Sequence, residues 1–558
     1  MLCLLHGYLL EGSGSNLWTR SVVEALCAAG HSVQLVCQEP YPERYDCIAE
    51  AYRYHLDGRV ETMLLRDVPY PGRCIMHKPQ LGDTLPVYVW DKYDEYANVV
   101  PMINLSDDEI ESYVARNVDV VRDVVERWGV TAMHANHAVL MSVVAQRVSA
   151  ESGVPYSVMP HGSALEYAVK PDRRFRALAT SAFAAAGRVF IHGEEMRSRV
   201  VAALPDVPDL ESKFSVLPLG VHTAQFEPVP RERRREKIGR LLVSLSDKPR
   251  GRRPEQLSAM LADLRGAADT NALRCVLSAV AYETKSPDED LEDKLQLVDW
   301  EHDAVLLYVG RLISAKGFQS GLAALPLLLA RDPGIRLIVV GHGPLREPME
   351  AFLWALEHGD RALAERIVDC GRMLEGDPDG VSSGSQALSK VRSFWDDLAA
   401  RGALDDYFAL AREHVRADRV IFTGYLTHEE LQHLFPCCDA GIFPSVVKEA
   451  GPLVFLEALA SGCFPLGTYF GGMQASIDAI AELFPEHIAA MMKLSPHDTV
   501  ADIVTNVLDA LHFGVRYKDV LSRTAQARYD WTSVAGKLVR TLDALVIASP
   551  APTLQHSG

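Results

Sequence analysis

Cysteine is sparse: ten residues in 558, with no CxxC pair and no Cys/His ladder at zinc spacing. Cys437 and Cys438 are adjacent, which suits neither an ordinary structural disulfide nor a metal clip. The pattern predicts reduced thiols and a cytoplasmic protein. Long apolar runs are missing too; none reaches the ~18 residues of a membrane-spanning helix. Residues 1–10 are apolar but interrupted by His6. They lack the basic flank and small-residue cleavage site of a signal peptide, and read as a first β-strand. Basic charge is in deficit: Lys plus Arg is 56 against 74 Asp plus Glu, a net −18. A field of that sign disfavours nucleic acid as a partner, yet permits a local basic pocket for a phosphate. No amphipathic basic helix is clear enough to assert peripheral membrane contact, which stays open. What is present is ordinary globular material, 48% hydrophobic and 23% charged, which excludes a wholly disordered chain.

At about 150 residues per domain the length suggests three to four domains, and two large α/β domains with insertions fit equally well. The opening reads strand, loop, helix, strand. A short apolar run, Leu2–Leu5, precedes the loop Glu11-Gly12-Ser13-Gly14-Ser15-Asn16. From Leu17, the residues Trp18, Val22, Ala25, Leu26 and Ala29 recur at helical spacing until Gly30, and a strand follows at 33–37. Such alternation over residues 1–220 predicts a parallel sheet with helices on both faces. Residues 41–104 are less regular. A helix is predicted over 107–128 with Ser106 as N-cap, and strands at 131–136, 156–159, 189–192 and 214–218.

Charge blocks then mark residues 231–300: five cations between Arg231 and Lys237, the run Pro249-Arg250-Gly251-Arg252-Arg253-Pro254, and acids over 288–293. They read as a solvated linker or insertion, with a phosphate or acidic-lipid contact as the sharper option. Strands resume at 304–309, 336–340, 420–422 and 441–443, with a helix at 317–329. Met349, Phe352, Leu353 and Leu356 recur at i, i+3, i+4 and i+7, which predicts a helical insertion over 346–419. The divisions expected are 1–220, a linker or insertion 221–303, a second α/β domain 304–525, a final helix 526–547 and a disordered tail 548–558.

Four clusters stand where strands give way to helices, the edge at which open parallel sheets bind ligands. Gly12-Ser13-Gly14-Ser15-Asn16-Leu17 is either a tight turn or a backbone approach to an anion; Leu17 stands where a dinucleotide fingerprint needs glycine. Gly310-Arg311-Leu312-Ile313-Ser314-Ala315-Lys316-Gly317 puts two cations in one loop, a solvated loop or a pyrophosphate grip. Glu449 and Glu457 flank and enter a helix with Pro452 in its first turn and Gly462 at its end. Eight residues rise about 12 Å on a helix, so the two acids either face one cleft at different depths or lie on a solvated helix face. Met159-Pro160-His161-Gly162 places a histidine at a strand end, with His134 and His137 near the preceding one.

Together these segments resemble the retaining family-four glycosyltransferases. The match runs through Tyr308-Val309-Gly310-Arg311 to Lys316-Gly317, Val339-Val340-Gly341-His342-Gly343-Pro344, Val420-Ile421-Phe422-Thr423-Gly424-Tyr425-Leu426, Phe443-Pro444-Ser445, and Glu449 to Glu457-Ala458-Leu459-Ala460-Ser461-Gly462. The Gly14 loop and Met159-Pro160-His161-Gly162 match more loosely, and Asp530-Trp531 resembles the entry to a last helix that returns to the first domain. The resemblance implies the GT-B fold: α/β, two Rossmann-like domains facing a central cleft, with a helical insertion in the second. The first domain would hold the acceptor and the second the donor, a nucleotide-diphosphate sugar.

By that resemblance Arg311 and Lys316 would bind the pyrophosphate, Glu457 the ribose and Glu449 the donor sugar. Backbone groups around Tyr425 and Leu426 would hold the base. Gly341 and Gly343 belong to the same donor-binding set, Gly14 would close over the phosphates, and His161 would contact the transferred sugar. The family often has an aromatic residue and a glycine where Gly451 and Pro452 stand. Pro452 has no N–H to donate, which leaves the amides of Leu453 and Val454. No dedicated metal cluster is visible, so no obligatory metal or other cofactor is expected, and domain closure would exclude water. The acceptor is unidentified; Trp90, Tyr93 and Tyr96 either stack on a sugar or fill a core. A GT-B epimerase or phosphorylase is the alternative enzyme. A non-catalytic nucleotide-sugar-binding subunit is the other reading, with the inserted helices offering a surface to a partner or a second copy.

Overall fold

The structure, a computed structural model, describes residues 1–11, 14–82, 84–88, 96, 98–264, 267, 269–281, 285–375, 387–449 and 451–548. It divides into two compact units, one of residues 1–220 joined by the chain from Arg528, the other of residues 221–527.

The first unit is built on β1 (Leu2–Leu5), β2 (Ser32–Val36), β3 (Ile48–Tyr54), β4 (Val60–Leu65) and β5 (Arg73–Pro79). The two-stranded pair β6 (Thr84–Val87) and β7 (Asn98–Pro101) follows. Then come β8 (Ala132–Asn136), β9 (Tyr156–Met159), β10 (Arg188–Ile191) and β11 (Phe214–Val216). Apart from β6 and β7, these form one sheet in the order β11-β10-β9-β8-β1-β2-β5-β3-β4. β1 is flanked by β2 and β8, both parallel, and its Cys3, Leu4 and Leu5 are buried.

Residues 41–104, read as irregular from sequence, hold five strands. β4 pairs antiparallel to β3 at the sheet edge, with its side chains exposed or half-buried. An edge strand needs no continuous apolar run, which is why the hydrophobic pattern hid it. This hairpin also corrects the expected unbroken βαβ alternation. The first helix runs Gly14–Ala28 and so starts before Leu17. The helix Asp107–Trp128 begins as expected, with Ser106 and Glu109 forming a capping box.

The last helix, Trp531–Ala548, packs in this unit. Trp531, Val534, Leu538 and Leu542 share its core with Trp18, Val22 and Leu26. A Cβ at Gly220 would overlap the Trp531 ring, so glycine is what lets the chain pass there. Residues 549–558 of the expected tail, Trp90 and Tyr93 lie outside the described residues.

The second unit carries a parallel sheet in the order β14-β13-β12-β15-β16-β17. Its strands are β12 (Ala304–Val309), β13 (Ile335–Val340), β14 (Val420–Gly424), β15 (Ala440–Phe443), β16 (Phe464–Thr468) and β17 (Lys493–Leu494). The last two went unread from sequence, where Pro465 and a two-residue strand gave little signal. The segment 346–419 supplies the helices Arg346–His358, Arg361–Leu374, Ser389–Ala400 and Leu404–His414.

The charged stretch 231–300 is not simply solvated. Arg234 and Asp439 are both buried and joined by two hydrogen bonds of 3.1 and 2.6 Å. Asp288 accepts from Arg346 at 2.9 and 2.6 Å, and Arg252 meets Glu347 and Glu350. The blocks of like charge found opposite charge on the sheet-bearing part of the unit, and that pairing is what pulled them out of water.

Candidate functional site

Three loops at the carboxyl edge of the second sheet interlock. The central one, 310–317, leaves β12 between neighbours from β13 and β15. On one side Gly310 N donates to Val340 O at 3.0 Å and Leu312 N to His342 O at 2.8 Å. Gly341 and Gly343 have φ of 148° and 151°, and a Cβ on either would overlap the carbonyl oxygen of Gly310 or of Leu312. On the other side Val446 N donates to Ala315 O at 2.8 Å, and Gly317, at φ 75°, abuts the Pro444 carbonyl. The glycines of two separate motifs thus serve one end: close backbone packing that fixes where Arg311 and Lys316 emerge.

Lys316 Nζ lies 2.8 Å from Glu449 Oε1, both side chains half-buried. The resemblance implies Lys316 for the pyrophosphate and Glu449 for the donor sugar; the structure pairs these two side chains with each other. Arg311 is exposed and has no ion-pair partner among the described residues. Glu457 is buried on the helix Leu453–Ser461, with Oε1 2.5 Å from His428 Nδ1 and Oε2 without a hydrogen-bond partner. Pro452 is the residue before that helix rather than within its first turn, and Gly462 ends it at φ 69°. Leu453 and Val454 are its first two residues, so their amides have no acceptor within the helix.

Tyr425 and Leu426 follow β14. The Tyr425 amide already donates to Ser286 O at 3.0 Å, and Asp288 N donates to Thr423 O at 2.9 Å. The inserted segment 285–288 therefore lies along the loop that follows β14, and a base read there would meet Leu426 or the carbonyl side instead. His342 is perpendicular to Tyr425, ring centres 5.3 Å apart. Burial, with the charges of Lys285 and Arg311, holds its imidazole below the usual range. His428, Ser286 and Glu375, which accepts from Ser314 N at 3.2 Å and Ser314 Oγ at 2.5 Å, escaped the sequence reading. They lie 29 or more positions from their partners, and no local pattern links them.

In the first unit Gly14 opens the first helix and His161 follows β9. His161 is buried, its φ is 48°, and Nε2 is 3.2 Å from Asn136 Oδ1. His137, at φ 74°, stands 4.8 Å from the His161 ring, with neither nitrogen hydrogen-bonded. Two non-glycine residues in the left-handed region at neighbouring strand ends are a costly arrangement, of the kind functional sites hold. His134 does not join them: it packs in the core beside Trp18 and Phe190, with Nδ1 2.8 Å from Ser157 Oγ.

Burial holds all these imidazoles neutral. It lowers His6 to about 4, His134 to about 3 and His192 to about 4, and takes His137 and His161 well down. The folded values lie below the unfolded value of ~6.5, so the unfolded chain binds more protons in between. Stability from this cluster is complete above about pH 6.5 and falls as the pH drops toward 4. Melts of the protein between pH 7.5 and 5 should show a steady loss of Tm below about 6.5; a flat Tm over that window would contradict neutral buried imidazoles. Among the described residues no group of three His, Cys, Asp or Glu is placed to hold a metal ion, and no helix is long and apolar enough to cross a membrane.

Residues 13–211 match the model of the glycosyl transferase 4-like domain, and residues 364–508 that of glycosyl transferases group 1. Glu449 and Glu457 fall inside these segments; Arg311 and Lys316 fall outside. Glycogen synthase of Mycobacterium tuberculosis is 26% identical over 235 residues, 42% of this chain. The matched stretch spans 40% of that relative's length. Among solved structures, HepE of Anabaena in complex with UDP has TM-score 0.50 at 13% identity, over 98% of this chain and 100% of that one. A glycosyltransferase of Rickettsia africae has TM-score 0.50 at 12% identity, over 98% and 99%. The fold is GT-B, with two Rossmann-like units, and a segment in each half matches a glycosyl transferase model.

Proposed function

We propose that this protein is a retaining glycosyltransferase of family four, moving a hexosyl group from a nucleotide-diphosphate sugar to an acceptor hydroxyl. The observation that carries the reading is Arg311: an exposed guanidinium with no ion pair among the described residues, on the loop that also presents Lys316. An unpaired fork beside an ammonium suits the two phosphates of a leaving diphosphate. The free amides of Leu453 and Val454 add donors of the kind that bind anions at a helix start. Glu457 Oε2, buried and unpartnered, is an acceptor suited to a ribose hydroxyl.

The reaction breaks the bond from the sugar C1 to the phosphate oxygen. Negative charge collects on the diphosphate and positive charge on the ring. Arg311 and Lys316 stabilise the first, and Lys316 is shared between the phosphate and Glu449. Glu449, so held, accepts hydrogen bonds from sugar hydroxyls rather than attacking C1. The acceptor oxygen forms its bond to C1 on the face the diphosphate leaves, and its proton passes to the departing phosphate oxygen, which accounts for retention. His161, neutral, hydrogen-bonds the transferred sugar, and Gly14 is the first unit's other contact with the donor. The acceptor is assigned to the first unit, where Tyr96 is the described member of the aromatic trio.

A panel of nucleotide sugars tests this, beginning with uridine diphosphate sugars because the HepE structure holds UDP. One donor should bind and release nucleotide slowly without acceptor, and the transferred sugar should keep the donor's anomeric configuration by proton NMR. An inverted product would refute retention. An isomerised nucleotide sugar or a sugar phosphate would refute transfer.

A further inference from the structure

A cavity of about 830 Å³ lies within the second unit and shares only part of its wall with the loops described above. Arg311, His342 and Gly343 reach it, but Lys316, Glu449, Glu457 and Tyr425 do not line it. Its other walls are the helix Thr270–Ala279, from the charged segment 221–303, and the end of the helix Arg361–Leu374 with Glu375. The volume is that of a site for a small metabolite.

The chemistry of the lining is specific. Asn271, Arg274 and Ser278 lie at i, i+3 and i+7, so one face of one helix presents an amide, a guanidinium and a hydroxyl to the cavity. Arg274 is exposed and, like Arg311, has no ion-pair partner among the described residues. Two unpaired guanidiniums from different elements are thus directed to one space. Two acids also line the cavity. Glu375 keeps its charge but is held toward Ser314, which donates to both of its oxygens. Glu347 already accepts from Arg252 at 3.2 Å, and burial pushes its carboxyl up to about 7. The remaining polar groups, Asn271 and Ser278, are matched to hydroxyls, while Leu277 and Leu374 supply apolar surface.

We propose that this cavity binds a phosphorylated sugar, with Arg274 and Arg311 on the phosphate and the amide and hydroxyl side chains on the sugar. It leaves out the donor contacts of Lys316, Glu449 and Glu457, and meets the donor-binding set at Arg311 and Gly343. A ligand there would bias the position of Arg311 and so report on the donor loop. The inference does not rest on the transferase reading, since binding can be measured without turnover.

The test is calorimetric titration of glucose 6-phosphate into the full chain, into Arg274→Ala and Arg274→Glu, and into Lys316→Ala. The wild type should bind. Arg274→Ala should weaken binding about tenfold and Arg274→Glu further, as expected for a lost charge-assisted contact. Lys316→Ala should bind like the wild type. Both Arg274 variants alter an exposed side chain, so unchanged melting curves are expected and check their folding. Failure of the wild type to bind, or unchanged binding by both Arg274 variants, would overturn the site. Loss of binding in Lys316→Ala would instead assign the sugar phosphate to the donor loop and overturn the proposal. Equal affinity for inorganic phosphate would overturn the sugar-phosphate class.

Discussion

Arg311→Ala and Lys316→Ala should each lower kcat by about two to three orders of magnitude, the usual cost of removing one preorganised group from developing transition-state charge. The two should part in their side effects. Arg311 has no ion pair among the described residues, so Arg311→Ala should melt like the wild type. Lys316→Ala leaves Glu449 without its 2.8 Å partner, but both side chains are half-exposed, so the stability loss should stay under about 1 kcal/mol. Arg311→Lys keeps the charge and loses the planar fork, and should fall between wild type and alanine. Initial rates with the best donor, measured beside thermal melts, decide this. Wild-type rates in both alanine variants would remove the two cations from the chemistry.

Asp439→Ala should be the most damaging single change to the fold, costing about 3–5 kcal/mol as a broken buried ion pair. Asp439 is buried at the end of the loop before β15. It accepts from Arg234 at 3.1 and 2.6 Å, from Arg231 at 2.9 Å and from the amide of Val305 at 2.9 Å. Its removal strands the buried Arg234 charge and the Val305 amide of β12, the strand that carries the Arg311 loop. Burial by itself pushes this carboxyl up, but Arg234 and then Arg231 more than offset it, so it titrates below the usual carboxylate range. A depressed folded value means the contribution is present above the unfolded value of ~3.9 and is lost as the pH falls through the folded one. Urea unfolding at neutral pH should therefore show the full loss in Asp439→Ala, and a loss under about 1 kcal/mol would contradict the buried-pair description.

What the sequence made legible follows from which interactions are local. Strands such as Leu2–Leu5 and Ala304–Val309 announce themselves as apolar runs because both faces are buried. The helix Asp107–Trp128 carries its own start in Ser106 and Glu109 and its own stop in Gly129. The loop 310–317 and the glycines at 341 and 343 were visible as motifs, and coordinates supply their reason: a Cβ would strike the neighbouring loop. What stayed hidden depends on partners far away in sequence. Arg234 and Asp439 are 205 positions apart, and nothing near either says that the charge run ends in a buried pair. Ser286 meets the Tyr425 amide only because the insertion folds back along β14, so nothing near Tyr425 in sequence shows that this N–H has a partner. The contact of Lys316 with Glu449 is likewise a product of two strands brought side by side, β12 and β15.

The claim that the strand-end loops of the second unit hold an activated sugar by its diphosphate is tested most directly by equilibrium binding. Uridine, adenosine and guanosine diphosphates titrated calorimetrically into the full chain should reveal at least one that binds one-to-one. That binding should weaken by at least about tenfold in Arg311→Ala and in Lys316→Ala. No binding of any nucleoside diphosphate, or equal binding by wild type and both variants, would contradict it.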